Sequence, residues 1–259
     1  MLWLMFLSFV LIITPFMANP AEEHIHGASS GLQKIQEYLG EFVYGSIDGS
    51  VTTFAVVAGA SGAHLDSSVV IILGFANLIA DGFAMSVGSY LSTKSELQNY
   101  EKHKQIEYWE IDNLRDVEVQ EVRDIYIAKG FEGELLEQVV AKITEDKDRW
   151  VDTMMKEELE MIPTNKSPLT MGAVTFISFL LVGFVPLLIY VVDYFSPMDV
   201  NLFYVSSALT SLAFIGIGAL KSYVTNSSRL MSIMETLLLG AAAASLAYVV
   251  GNALERMIT

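Results

Sequence analysis

Two groups of acidic residues in this chain are spaced for chemistry. The first centres on Asp48, the one ionisable side chain within the apolar stretch that follows Glu41 and runs to Ala63. A carboxylate is costly to hold in hydrocarbon, so its position there marks an ion or proton path. Glu37, Glu41, Tyr44 and Asp48 recur at helical spacing and fall on one face. The next apolar stretch, about Val69–Leu91, carries Asn77, Asp81 and Met85 at intervals of four, again on one face. A link as short as His64–Ser68 makes the two helices antiparallel. Equal residue counts from that fold, at a constant rise per residue, set Asp48 opposite Met85 and Asp81 opposite Thr52. A carboxylate, an amide and a thioether meeting a second carboxylate suit a cation path better than polar glue between helices.

The second group lies in the charged middle of the chain. Glu107 and Glu110 are three apart, as are Glu118 and Glu121, so each pair aims two carboxylates at one side of a helix. Met154, Met155 and Glu158 follow within one helical turn. Paired glutamates projecting between helices are how helical bundles build carboxylate-bridged metal centres. Oxygen ligands with an added thioether suit Fe²⁺ or Mn²⁺ and tilt against Ca²⁺ and Mg²⁺. An acidic, solvated helix surface is the other reading, and spacing alone leaves both open. A membrane-anchored di-iron ferroxidase would want a Glu-x-x-His step, and none occurs. A metal sensor with an inert anchor is poorly served by aspartates inside apolar stretches.

The elements that must position these groups follow from composition. The chain has 259 residues, 53% of them hydrophobic, a mean hydropathy of +0.45 and no cysteine. Disulfides and thiolate metal sites are excluded. A net charge of −15 argues against nucleic acid as a partner. Several apolar blocks of bilayer-crossing length make this an integral membrane protein with the lipid bilayer as its surroundings. Residues 1–40 form an N-terminal lead with a signal-like apolar stretch, residues 41–91 a transmembrane hairpin, residues 92–168 a soluble helical domain, and residues 169–259 three further spans. Those spans are expected at about Leu169–Tyr194, Leu202–Tyr223 and Ile233–Leu254, with a kink at Pro186. The soluble block reads as three helices, roughly Ser92–Leu114, Val117–Ala128 and Glu134–Met161, the last breaking near Thr144. It holds 11 of the 15 Lys and Arg residues, which places it in the cytoplasm. Small residues at Gly45 and Gly49, and again at Ala58 and Gly62, allow close helix contact in lipid.

The segments SIDGSVTTFAVVAGASGA, ADGFAMSVGSYLSTKSE, the spaced E-x-x-E pairs and WVDTMMKEELE, in that order, resemble the vacuolar iron transporter family and its nodulin-like relatives. The resemblance runs from about Glu37 to the last span. It implies an all-α membrane protein of five transmembrane helices, with a cytosolic three-helix metal-binding domain between spans two and three. It further implies a homodimer formed through the first span. Members of that family exchange cytosolic Fe²⁺, often Mn²⁺ too, for protons, so the metal is cargo and no cofactor or enzymatic activity is expected. By the family pattern Glu107, Glu110, Glu118, Glu121, Met154, Met155 and Glu158 match the cytosolic metal ligands, and Asp48 and Met85 the membrane path. Plant members carry a glutamate where this chain has Asn77, with Asp81 one turn on. The expected role is metal homeostasis by proton antiport, in a vacuolar or bacterial inner membrane.

Overall fold

The computed structural model describes residues 30–258, with side chains from Tyr38 onward. The signal-like stretch at residues 1–20 and the side chain of Glu37 lie outside the described residues. The chain divides into two compact units, Met1–Gly40 and Glu41–Thr259. Of the first, the described part is the helical stretch that opens α1 (Ser30–Gly62). The second unit, from Glu41, holds everything discussed below.

Every described element is helical. After α1 come α2 (Ser67–Asn113), α3 (Arg115–Ala128), α4 (Gly133–Thr144), α5 (Lys147–Glu157) and α6 (Pro168–Gly183). A 3₁₀ turn at Val185–Leu187 leads into α7 (Leu188–Phe195), followed by α8 (Leu202–Thr225) and α9 (Arg229–Ile258).

The hairpin's second helix does not stop at the edge of its apolar half. α2 is one helix of 47 residues, roughly 70 Å long at 1.5 Å per residue. Its first half is apolar and its second half carries Glu107 and Glu110 into the charged block. That block is therefore the end of α2 plus three separate helices. The break expected near Thr144 is present, where Asp146 caps α5 by accepting from the Arg149 N–H at 2.8 Å. Gly130 ends α3 at φ +90°, with the Phe131 N–H reaching back to the Tyr126 carbonyl at 3.1 Å. α3, α4 and α5 fold back on α2 around a core of Ile111, Val122, Val140, Trp150, Val151 and Met155.

Among the described residues, four helical segments are long and apolar enough to cross a membrane: α2, the α6–α7 segment Pro168–Phe195, α8 and α9. α1 is not among them. Asp48, with Ser, Thr and Gly residues around it, dilutes the apolar character of a segment otherwise long enough to cross. Large apolar side chains point outward along the four, for example Ile72, Ile79 and Phe83 on α2 and Leu238 and Leu246 on α9. Outward apolar surface on this scale suits lipid as solvent. Pro186 interrupts the α6–α7 segment as expected, and the Ser206 hydroxyl donates to its carbonyl at 2.7 Å.

Glycines set the spacing of α1 against its neighbours. A Cβ on Gly49 would stand 2.5 Å from the Phe179 carbonyl oxygen, and one on Gly45 2.9 Å from that of Thr175. Both small positions are therefore filled by α6 of the same chain. Further along α1, Gly59 lies against Ala247 and Gly62 against Tyr248, both on α9. Backbone contact this close is available only where no side chain intervenes.

Candidate metal sites

Within the soluble block, Glu107 and Glu118 are buried to 3% exposure, and each has one carboxylate oxygen, Oε2, with no hydrogen-bond partner. Glu107 comes from α2 and Glu118 from the first turn of α3. Their backbones fold toward each other because α2 ends at Asn113 and α3 begins two residues later. Burial, then the charges of Glu158, Glu110 and Glu121, push the Glu107 carboxyl up from 4.5 to about 7. Burial, then Glu121, Glu107, Glu110 and Glu158, push Glu118 up to about 8. Glu158 is raised as well, first by burial and then by Glu121 and Glu110. The five glutamates thus form one electrostatic cluster drawn from α2, α3 and the end of α5. The ion pairs in this block engage other acids: Glu137 with Arg123, Glu157 with Lys129, Asp112 with Lys147.

Like charges gathered around buried, unpartnered oxygens are expensive to keep unless a cation or protons neutralise them. Among the described residues, no three His, Asp or Glu side chains close around a single point as they stand. Met154 and Met155 are fully buried, in the same core cluster as Trp150. Their burial alone is equally that of core packing. The donor chemistry fits a divalent cation: several carboxylates, two of them desolvated, in a block that also buries two thioethers.

The second group is brought together by α1, α2 and α6. Asp48 and Asp81 stand close enough for their charges to interact. Glu41 accepts a hydrogen bond from the Ser89 hydroxyl at 2.8 Å and another from Thr175. The Glu41–Ser89 bond places the pairing of α1 with α2 about one turn from the equal-count register, which brings Asp81 nearer than Met85 to the level of Asp48. The hairpin folds earlier than expected, with α1 ending at Gly62 and α2 beginning at Ser67, which moves the pairing by about three residues. Asn77, Asp81 and Met85 are all partly buried, and the Asn77 amide nitrogen is buried without a partner.

Ser89 and Thr175 were not found by sequence reasoning. Ser89 had a signal, since it continues the row Asn77–Asp81–Met85 at the next interval of four. Thr175 had none, being 134 residues from Glu41.

A family model described as the VIT family matches residues 39–252. The chain is 30% identical to vacuolar iron transporter 1 of Tulipa gesneriana over 243 residues, covering 93% of this chain and 96% of that protein. It is 33% identical to the vacuolar iron transporter of Centaurea cyanus, covering 90% of this chain and 91% of the relative. The vacuolar iron transporter of Plasmodium falciparum is 32% identical, with 90% and 88% covered. A match through both acidic groups and nearly the whole helical frame places the chain in the VIT family.

Proposed function

We propose that this protein carries a divalent metal, Fe²⁺ or Mn²⁺, out of the cytoplasm in exchange for protons. The observation that supports it best is the five-glutamate cluster, with one buried oxygen each on Glu107 and Glu118 that has no hydrogen-bond partner among the described residues. Relatives named vacuolar iron transporters support the choice of iron. Mn²⁺ is included because the same oxygen and thioether ligands accept it.

In this reading the soluble block faces the cytoplasm, in keeping with its Lys and Arg content. Glu107, Glu110, Glu118, Glu121 and Glu158, with Met154 and Met155, collect the metal. Metal arrival displaces the protons that Glu107 and Glu118 hold near neutrality, because only the deprotonated carboxylate ligates. α1 serves as a fifth span, its acid tolerated because Asp48 lies on the path and not against lipid. Asp48 and Asp81 form a dyad that a divalent cation and protons occupy in turn, with Glu41, Asn77 and Met85 along the same path. A second copy packs against α1. Gly45 and Gly49 are already used by α6, so the side of α1 that carries Tyr44 and Ala55 would meet it.

The test is metal uptake into vesicles holding the purified full chain, with and without a pH gradient. Uptake of Fe²⁺ or Mn²⁺ driven by the gradient is the expected result. Metal accumulation that ignores the gradient would remove the antiport step, and no accumulation at all would remove the transporter reading.

A further inference from the structure

The contact that joins α1, α2 and α6 at Glu41 has a specific form. Both hydroxyls, Ser89 Oγ from α2 and Thr175 Oγ1 from α6, donate to the same carboxylate oxygen, Oε1. Among the described residues, no hydrogen bond engages Oε2. Glu41 is partly exposed, whereas Thr175 is fully buried. The Thr175 hydroxyl also lies 2.9 Å from the Met171 carbonyl. It has one proton for two acceptors, and the charged acceptor makes the stronger bond.

The packing that delivers Thr175 to this place is itself unusual. Gly45, one turn after Glu41 on α1, lets the α6 backbone come so near that an added Cβ would collide with Ser178 and with the Thr175 carbonyl. On the other side Gly172 admits α2, and the Ser86 hydroxyl donates to the Gly172 carbonyl at 2.8 Å. Three helices are thus held in register around one carboxylate. Glu41 and Asp48 are seven residues apart on α1, two turns and nearly the same face.

We infer that Ser89 and Thr175 are positioning residues: they anchor Glu41 through Oε1 and leave Oε2 turned to a passing divalent cation. This rests on the transport reading above. A carboxylate ligand that is itself hydrogen-bonded keeps its orientation without an ordering cost when the ion arrives. α6 therefore takes part in metal binding although it contributes no ligand of its own.

The test uses the full chain in vesicles and the variants Thr175→Val, Thr175→Ser, Ser89→Ala and Glu41→Gln. Thr175→Val keeps the shape and removes the hydroxyl; Thr175→Ser keeps the hydroxyl. Thr175→Val should raise the half-saturating Fe²⁺ concentration about 10- to 100-fold, the usual effect of losing such a support, with the maximal rate little changed. Thr175→Ser should restore the parent value. In a Glu41→Gln background, Thr175→Val should add nothing, because the group it positions has gone. Equal effects of Thr175→Val in both backgrounds, or a loss of maximal rate at unchanged half-saturation, would make Thr175 a packing residue. A second readout does not depend on transport. With Glu107, Glu110, Glu118, Glu121 and Glu158 changed to Gln, the Mn²⁺ still bound by the full chain is measured by electron paramagnetic resonance. Binding weakened by Thr175→Val but not by Thr175→Ser supports the inference, and binding unaltered by Thr175→Val overturns it. A parent that binds Mn²⁺ here but moves no metal defeats the transport reading alone.

Discussion

Replacing Glu118 by Gln should make the metal-free protein more stable at alkaline pH and no different at acidic pH. The folded value of this carboxyl, about 8, lies above its unfolded value of 4.5. Between those two pH values the folded chain binds a proton that the unfolded chain has lost. Stability is therefore full below about pH 4.5 and falls as pH rises through about 8. At about pH 8 the whole displacement corresponds to about 4 kcal/mol. The shift is shared with Glu107, Glu110, Glu121 and Glu158, and water reaches the rim of the cluster, so about half of that, about 2 kcal/mol, is the expected loss. Gln has the size of the protonated acid and no charge, so Glu118→Gln recovers it. A gain of about 2 kcal/mol in a block of this size moves the melting midpoint by about 10 °C. The reporter is Trp150, fully buried in the core of the soluble block. Changing Trp3 and Trp109 to Phe leaves it the sole tryptophan. Melts of the full chain in detergent, with chelator, at about pH 5 and about pH 8 give the comparison. The variant should melt higher at the alkaline pH and with the parent at the acidic one. Added Mn²⁺ should raise the parent more than the variant, since one anionic ligand is gone. A variant less stable than the parent at both pH values would refute the reasoning, by showing Glu118 to be held by contacts that favour its charge.

Three more outcomes follow from the same geometry. Asp81→Asn should abolish pH-driven uptake while leaving metal binding by the glutamate cluster intact, and Asn77→Ala should be milder because it removes no titrating group; uptake by Asp81→Asn at the parent rate would leave Asp81 as packing. Met154→Leu, a volume-conserving change at a fully buried site, should cost less than about 1.5 kcal/mol in a thermal melt yet weaken Fe²⁺ binding measured by calorimetry, whereas unchanged binding would return Met154 to the core alone. Gly49→Ala would put a Cβ 2.5 Å from the Phe179 carbonyl oxygen and should destabilise the full chain by about 1–3 kcal/mol, read as an earlier melt and reduced yield.

Much of the frame was legible because its causes are local. Apolar blocks broken by Gly, Pro and charged runs mark helices whatever surrounds them. The kink at Pro186 and the break near Thr144 could each be read from a few neighbouring residues. The acidic groups were legible for the same reason: intervals of three and four put Glu107 with Glu110, and Asp81 with Met85, on one face of a helix before any helix is packed. What α1 does was less legible. Its Asp48, Ser and Thr residues lower its hydropathy, and composition alone ranks it apart from the four clearly apolar segments.

Pairing between helices had to await the tertiary structure. The register of α1 on α2 depends on where one helix ends and the next begins, and the link between Gly62 and Ser67 moved the pairing so that Glu41 meets Ser89. The burial of Glu107 and Glu118 depends on how α3 to α5 close over α2, since a glutamate on an exposed face has the same spacing as one sealed inside. The contact of Thr175 with Glu41 depends on a glycine that lets two backbones nearly touch, across 134 residues of chain. Periodicity says which side chains share a face of one helix. Which faces meet, and at what height, is decided by close packing between helices, and a pattern within one helix carries no information about it.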